Sequence, residues 1–195
     1  RAETIAVFNS RVFAEKIIND LNLLPYFYEE NWDSTKNTWK EGEPPLYDAL
    51  ELMGIGNLRQ DPRDGLFIYE IEWDDPVLAA QWSNQVITLF NNYMREKAII
   101  EAKKSVDYLK AELTNTNIVS LQSVLYQLIE QKTQTAMLAS VREDYAFKII
   151  DPAITPDERS SPNRTQNVVL TSGATFILGL FIILFRSFYR NKEAE

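Results

Sequence analysis

The chain of 195 residues contains no cysteine, no histidine and only six glycines. Without cysteine it can form no disulfide bond, no thiolate zinc site and no cysteine nucleophile, and without histidine it lacks imidazole metal ligands and histidine-based triads. The low glycine content excludes a collagen-like chain. These absences close many routes to catalysis, and we expect no cofactor and no metal site.

Basic residues are also scarce. Twenty Lys and Arg stand against 28 Asp and Glu, which gives a formal net charge of -8. Because nucleic-acid binding depends largely on counterion release by Lys and Arg, and no basic stripe occurs, this charge argues against a nucleic-acid partner. The length and the 45% apolar content suit a single globular domain.

The longest apolar run lies near the C-terminus, at residues 168–185, and carries no charge over eighteen positions. At 1.5 Å per residue it reaches about 27 Å, close to the roughly 30 Å hydrocarbon core of a bilayer. A buried core helix is the alternative, but such a helix seldom lacks a polar face over this length. The sequence therefore predicts a transmembrane helix at 168–185.

Charges next to this run predict its orientation. Arg186, Arg190 and Lys192 crowd the tail at 186–195, which places the tail in the cytoplasm and the domain before the run on the opposite side of the membrane. A domain on that side must be exported. This interpretation implies an N-terminal segment that precedes Arg1.

The first sixty residues give a helical and an aromatic signal. Apolar residues at gaps of three and four predict one amphipathic helix over residues 5–24, ending before Pro25. Trp32 and Trp39 follow among polar residues. They are interpreted either as a sugar-stacking platform or as the cover of a small core, and the second is favoured.

Two strands and two long helices are predicted next. Residues 66–73 alternate as a half-buried strand does, and residues 145–151 form a second strand candidate. Asp75 and Pro76 predict the start of a helix of about 38 residues, followed by one of about 25. The first of these contains a narrow apolar seam that suits helix pairing, formed by Ile99, Ala102, Val106, Leu109 and Leu113.

These patterns predict an α/β (α+β) domain at residues 1–151. In it, strand 66–73 pairs with residues 147–151, and the long helix projects away from the membrane. Residues 152–167 contain Pro152, Pro156 and Pro162, which predicts a stiff, proline-rich segment beside the membrane.

The end of the chain carries a specific pattern: residues 145–153 read YAFKIIDPA, and Pro156, Ser161-Pro162-Asn163-Arg164 and an apolar run with Gly173 and Gly179 follow. This order resembles the proline-rich close of the polysaccharide co-polymerases, the Wzz-type chain-length determinant proteins. Two earlier stretches are similar to the same family, namely Asn9-Ser10 with its helix and Asp75-Pro76 with Ala79-Ala80, Asn84 and Tyr93. Asn163 departs from the Lys that is commoner in the family, and Gly173 and Gly179 lie further apart than usual.

The resemblance implies a non-catalytic inner-membrane protein with its domain in the periplasm. Its copies would assemble side by side and set the length of O-antigen or lipopolysaccharide chains, acting with the polysaccharide polymerase on undecaprenyl-linked glycan. The implied membrane-proximal motif consists of Pro152, Pro156, Ser161, Pro162 and Arg164. The expected transmembrane packing residues are Thr171, Gly173, Thr175 and Gly179, of which three form a small-residue stripe at four-residue spacing.

Three alternatives remain open. Within the family, the chain could act as a capsule or exopolysaccharide co-polymerase in synthesis and export. An enzyme could use Glu70 and Glu72, which share a strand face about 7 Å apart. A receptor ectodomain would explain Asn163-Arg164-Thr165 as a glycosylation site, although the lack of cysteine is unusual for such a domain.

Overall fold

The computed structural model describes residues 2–46, 48–49, 57–157, 171–175 and 177–179. About 63% of these residues are helical, and the strands among them form two separate two-stranded sheets. Contacts between residues divide the chain into two compact units, 1–155 and 156–195. Both sheets belong to the first unit.

The N-terminal region contains three short helices, α1 (Ala2–Phe8), α2 (Arg11–Asp20) and α3 (Leu24–Phe27), and then a 3-10 turn at Glu29–Asn31. The prediction of one helix over residues 5–24 is wrong because Ser10 begins a new helix. Its hydroxyl accepts a hydrogen bond from the Phe13 N–H at 3.3 Å and donates to the Val7 carbonyl at 2.7 Å. Pro25 lies in the first turn of α3, where its missing N–H costs little.

Two antiparallel hairpins follow. The first joins β1 (Trp32–Asp33) to β2 (Thr38–Trp39), and the second joins β3 (Asn57–Gln60) to β4 (Phe67–Glu70). The second turn closes through Gly65, whose φ of 72° is disfavoured for other residues and whose N–H donates to the Asp61 carbonyl at 2.9 Å.

This pairing corrects the predicted sheet. β4 is shorter than residues 66–73 and pairs with β3, whereas residues 147–151 are not strand. The hairpin partner is close in sequence, so pairing with it closes a short loop, while residues 147–151 lie almost eighty positions away. The predicted α/β (α+β) fold is therefore wrong in its sheet: the structure mixes helix and strand, is about 63% helical, and holds only small separate hairpins among the described residues.

Two helices account for most of the remaining residues. We call α4 (Pro76–Asn115, 40 residues) the long helix and α5 (Val119–Val141, 23 residues) the return helix; the two pack against each other. The predicted helix start is confirmed, because the Asp75 carboxylate accepts hydrogen bonds from the Val77 and Leu78 N–H groups at 2.8 and 3.2 Å. The long helix extends for about 60 Å.

The main core lies around the first turns of the long helix. It contains three residues of that helix, Trp82, Val86 and Phe90, and buried residues of the N-terminal region, Phe8, Phe13, Ile17 and Leu23. Beyond it, at residues 99–137, the two helices form what we call the arm. Of the described arm residues only Ala102 and Leu125 are buried, so the arm is thin.

The predicted transmembrane helix is a second correction. Of residues 168–185 the structure describes 171–175 and 177–179, which are helical. Among the described ranges, none of the helices combines the length and the apolar character that a membrane span requires. The predicted inner-membrane location rested on that helix and is overturned with it. The predicted tail at 186–195 lies outside the described residues.

Candidate functional site

Residues 145–153, which carry the resemblance most specifically, have neither helix nor strand structure. We call them the closing segment. They lie against the long helix and are held there by two asparagine side chains and one phenylalanine ring. These anchors define the candidate site.

Asn91 is the first anchor. Its side chain is on the long helix and only 3% exposed. The Nδ2 donates to the Phe147 carbonyl at 2.8 Å, and Oδ1 accepts from the N–H groups of Ala146 and Phe147 at 2.9 and 2.8 Å. One amide thus satisfies three backbone groups that a neighbouring strand would otherwise satisfy, as burial requires.

Asn84 is the second anchor. Its Nδ2 donates to the carbonyls of Ala153 and Ala80 at 2.9 and 3.1 Å, and its Oδ1 accepts from the Ala153 N–H at 3.0 Å. Asn84 and Asn91 are seven residues apart, so they share one helix face about 10.5 Å apart along the axis. Because Phe147 binds the later asparagine and Ala153 the earlier one, the closing segment runs antiparallel to the long helix.

Phe147 is the third anchor. Its ring stacks on Phe90 with centroids 5.3 Å apart and an interplanar angle of 25°, and it also contacts Phe67 at 5.2 Å and Phe8 at 6.2 Å. Each such pair contributes about 0.5–1.5 kcal/mol beyond the burial of area. The ring therefore ties the closing segment to the core and to β4.

A cleft of about 580 Å³ lies between β4, the long helix and the closing segment. Leu58, Ile68 and Ile87 contribute apolar side chains to its lining, and Ser83 and Lys148 contribute polar ones. Its size is in the usual range for ligand sites, about 300–1,000 Å³. The cleft and its three anchors make up one continuous site.

Comparison with models of protein families and with curated proteins finds no match for this chain. The resemblance to the polysaccharide co-polymerases therefore depends on the quoted residues and on how the fold uses them. The fold joins two of the quoted stretches directly, since Asn84 binds Ala153.

The predicted seam lies where the long helix packs against the return helix. Ala102 is buried, and Ile99, Val106, Leu109 and Leu113 are half-buried. Most of the residues between them are exposed. The seam is thus used within one chain.

The expected membrane-proximal motif is described only in part. Pro152 and Pro156 are exposed and lie in coil, whereas Ser161, Pro162 and Arg164 are outside the described residues, as is the sequon that begins at Asn163.

The expected packing residues Thr171, Gly173, Thr175 and Gly179 are helical. The Thr175 hydroxyl donates to the Thr171 carbonyl at 2.7 Å, and a Cβ added at Gly173 or Gly179 would meet no atom within 4 Å. The structure thus shows no close helix contact at these two described glycines.

Both candidate acids are exposed. Glu70 ends β4 and forms an exposed ion pair with Arg59 at 3.0 Å, and Glu72 is exposed beyond the strand. The described part of the chain also holds no cluster of three or more carboxylates that could bind a metal ion.

The two tryptophans lie opposite each other in the first hairpin, with ring centroids 4.7 Å apart and edge to face. Trp39 also packs against a small second core formed by Ile18, Leu24 and Ala49. These contacts support the interpretation that the pair covers a core.

Sequence reasoning missed Asn91. Asn84 was noted only through the resemblance, and Asn91 lies next to Phe90, a residue of the main core. The sequence feature that could have revealed Asn91 is its position on the buried face of the helix, seven residues after Asn84. An amide in that position needs partners from elsewhere in the fold.

Tyr69 gives the site a pH-dependent contribution to stability. Its hydroxyl is buried and has no hydrogen-bond partner among the described residues, and burial raises the pKa of the Tyr69 phenol far above its ordinary value. In the unfolded chain the phenol ionises at about pH 10. The contribution of Tyr69 to the free energy of unfolding is therefore fully present below that pH. It is lost as the pH rises above it, because the phenol loses its proton in the unfolded chain before it does so in the folded one.

Tyr69→Phe is expected to raise the free energy of unfolding at neutral pH by up to about 1 kcal/mol and to flatten its decline above about pH 10. Urea unfolding followed at pH 7 and at about pH 11 measures both effects. Tyr108→Phe, at a residue that is 70% exposed, is the control and should change neither. A Tyr69→Phe protein that loses stability as steeply as the wild type would contradict this account.

Proposed function

We propose that this chain regulates the length of a surface polysaccharide as a non-catalytic co-polymerase, acting with the polysaccharide polymerase on undecaprenyl-linked glycan. The observation that supports this most is the attachment of the closing segment to the long helix by Asn84 and Asn91. The closing segment is the most specific part of the resemblance. A shared structural role for its residues makes a chance match of short motifs less plausible.

The other quoted stretches also have roles in the same unit. Ser10 begins α2, which brings Phe13 and Ile17 into the core, and Asp75 begins the long helix, which brings Trp82 and Phe90 to them. The stretches that resemble the family are thus those that build the core and join it to the closing segment. A non-catalytic regulator needs a rigid core of this kind to hold its binding surfaces in place, and it needs no catalytic residue.

The function is tested by the polysaccharide ladder of cells that lack the gene and carry a plasmid copy of it. Asn84→Ala removes both bonds to Ala153 and is expected to broaden or shift the modal chain length. Thr88→Ala is the matched control one turn further along the helix, since its hydroxyl donates only to the Asn84 carbonyl. Gel electrophoresis of lipopolysaccharide and of capsule from equal amounts of expressed protein gives the result. If the wild-type gene itself changes no ladder, the proposal is wrong.

Assembly of identical copies is part of the proposal. The return helix exposes large apolar residues whose spacing places them on one helix face, namely Val119, Tyr126, Met137 and Val141. Exposed apolar surface of this kind marks protein interfaces. Each chain has a net charge of -8, so neighbours must place Lys and Arg against Asp and Glu to offset their repulsion.

Sedimentation velocity is expected to show an oligomer of the wild-type chain. Val119→Glu, at a residue 79% exposed on the return helix, should shift it towards monomer because it introduces a charge into an apolar contact. Val77→Glu is the matched control, since Val77 is 49% exposed on the base of the long helix. A wild-type chain that is monomeric up to high concentration would rule out self-assembly through this surface.

A further inference from the structure

The cleft separates two stretches of backbone that have strand-like sequences and do not pair with each other. β4 bonds to β3 in a sheet of only two strands, so its other edge is unpaired within the described residues. In the closing segment, the backbone groups of residues 148–151 make no hydrogen bond to any described residue. Both stretches line the cleft.

The free edge of β4 presents specific groups. In an antiparallel pair, alternate residues point their N–H and C=O groups towards the partner strand and away from it. The Asp61 N–H donates to the Leu66 carbonyl at 2.8 Å, which marks a bonded pair at the turn. Two residues further on, Ile68 also faces β3, and the backbone groups of Phe67 and Tyr69 therefore face away from it.

The opposite wall of the cleft is the closing segment. Asn91 binds residues 146 and 147 and Asn84 binds residue 153, so residues 148–151 are fixed at both ends, while their own backbone groups bond to none of the residues that the structure describes. Lys148-Ile149-Ile150 has the β-branched character of a strand. A conflict between local sequence preference and observed structure is characteristic of functional sites.

We propose that the cleft binds an extended strand of a partner protein, which pairs with β4 on one side and with the closing segment on the other. β4 has four residues and is about 13 Å long, so a strand of four or five residues matches it. Such strand addition draws its affinity from backbone hydrogen bonds and its specificity from alternate side chains. Apolar side chains on one face of the bound strand would meet Leu58 and Ile87, which line the cleft.

A glycan fits these walls less well. The Phe67 and Phe147 rings contact each other, so they do not offer an open stacking face to a sugar ring. The strand proposal does not depend on the polysaccharide role. It would hold for any function of the chain that uses a protein partner.

The test begins with a phage-displayed library of random heptapeptides selected on the full chain. We expect enrichment of peptides with alternating apolar residues. The enriched peptide is synthesised with a fluorescent label, and again with N-methyl groups on alternate amides, which remove the hydrogen-bond donors of one edge. Both edges of the bound strand face a wall of the cleft, so methylation of either edge should weaken binding at least tenfold, as measured by fluorescence polarisation.

Ile68→Lys places a charge on the edge strand, a device that natural proteins use to prevent strand pairing, and should weaken binding of the enriched peptide at least tenfold. Val77→Lys is the control and should bind like the wild type. Hydrogen exchange of the wild-type chain is the measurement that needs no variant: bound peptide should protect the amides of Phe67, Tyr69 and Ile149. The proposal is overturned if no peptide is enriched, if methylation at either edge leaves binding unchanged, if Ile68→Lys binds normally, or if residues 148–150 already exchange slowly without peptide.

Discussion

Phe90→Ala is expected to lower the free energy of unfolding by about 3–5 kcal/mol, as large-to-small changes at buried aromatic residues do. Phe90 is 0% exposed. Its ring lies 5.0 Å from that of Phe8 and 4.9 Å from that of Phe13, both edge to face, and it stacks on Phe147. One side chain thus joins α1, α2 and the closing segment, so its removal leaves a cavity that no single neighbour can fill.

Urea unfolding of the Phe90→Ala protein, followed by circular dichroism, measures this loss. Phe90→Leu retains most of the volume and should cost clearly less. Tyr108→Ala on the exposed arm should stay within about 0.5 kcal/mol of the wild type, which controls for the loss of an aromatic ring in the long helix. If Phe90→Ala costs no more than Tyr108→Ala, the core is not organised around this residue.

Asn91→Ala is expected to cost about 2–4 kcal/mol, the second largest effect. The change removes three hydrogen bonds to the backbone of residues 146 and 147 and leaves those groups without partners in a part-buried position. A typical bond contributes about 0.5–1.5 kcal/mol net, and an unsatisfied buried group costs about 1–3 kcal/mol. Because the closing segment loses its deepest anchor, its amides should also exchange faster than those of the long helix.

The neighbouring residue provides the control. Asn92 is half-buried, and its side chain accepts a hydrogen bond from Arg95 at 2.9 Å. Asn92→Ala should therefore cost less than about 1 kcal/mol. Urea unfolding and hydrogen exchange of both variants separate a general effect of replacing an amide from loss of the anchor. Equal losses at the two positions would contradict the role of Asn91.

The long helices were predictable because their signals are local. Asp75 and Pro76 define a helix start through groups within three residues, and no tertiary contact is needed to recognise it. The break at Ser10 is also local, but the residues on either side of it keep helical spacing, so the apolar pattern alone conceals it. Periodicity identifies a helical region more reliably than it identifies the ends of helices.

The partner of β4 could not be read from alternation, because alternation shows that a strand has one buried face and does not show what pairs with its edges. Residues 57–60 were not recognised as a strand, since Asn57-Leu58-Arg59-Gln60 has only one apolar residue. The closing segment looks like a strand in sequence, yet Asn91 takes the hydrogen bonds that a strand would have made. These hydrogen bonds join Asn91 to Ala146 and Phe147, which lie 55 and 56 positions further along the chain, so no local pattern reveals them.

The candidate site was predictable in part. The resemblance directed attention to residues 145–153 and to Asn84, and these residues do meet in the fold. The cleft was not predictable, because it exists only where two strand-like stretches approach and remain unpaired. The apolar run at 168–185 led to a membrane span that the described helices do not support.

The hydrogen bonds of Asn91 to residues 146 and 147 bring together the two ends of the chain that forms the arm. A change in the length of the arm therefore need not alter the main core. Removing or adding seven residues in both helices together would turn their facing sides by only about 20°, so the apolar seam would still meet its partner. The length of the arm can thus change in steps of about 10 Å while the main core stays the same.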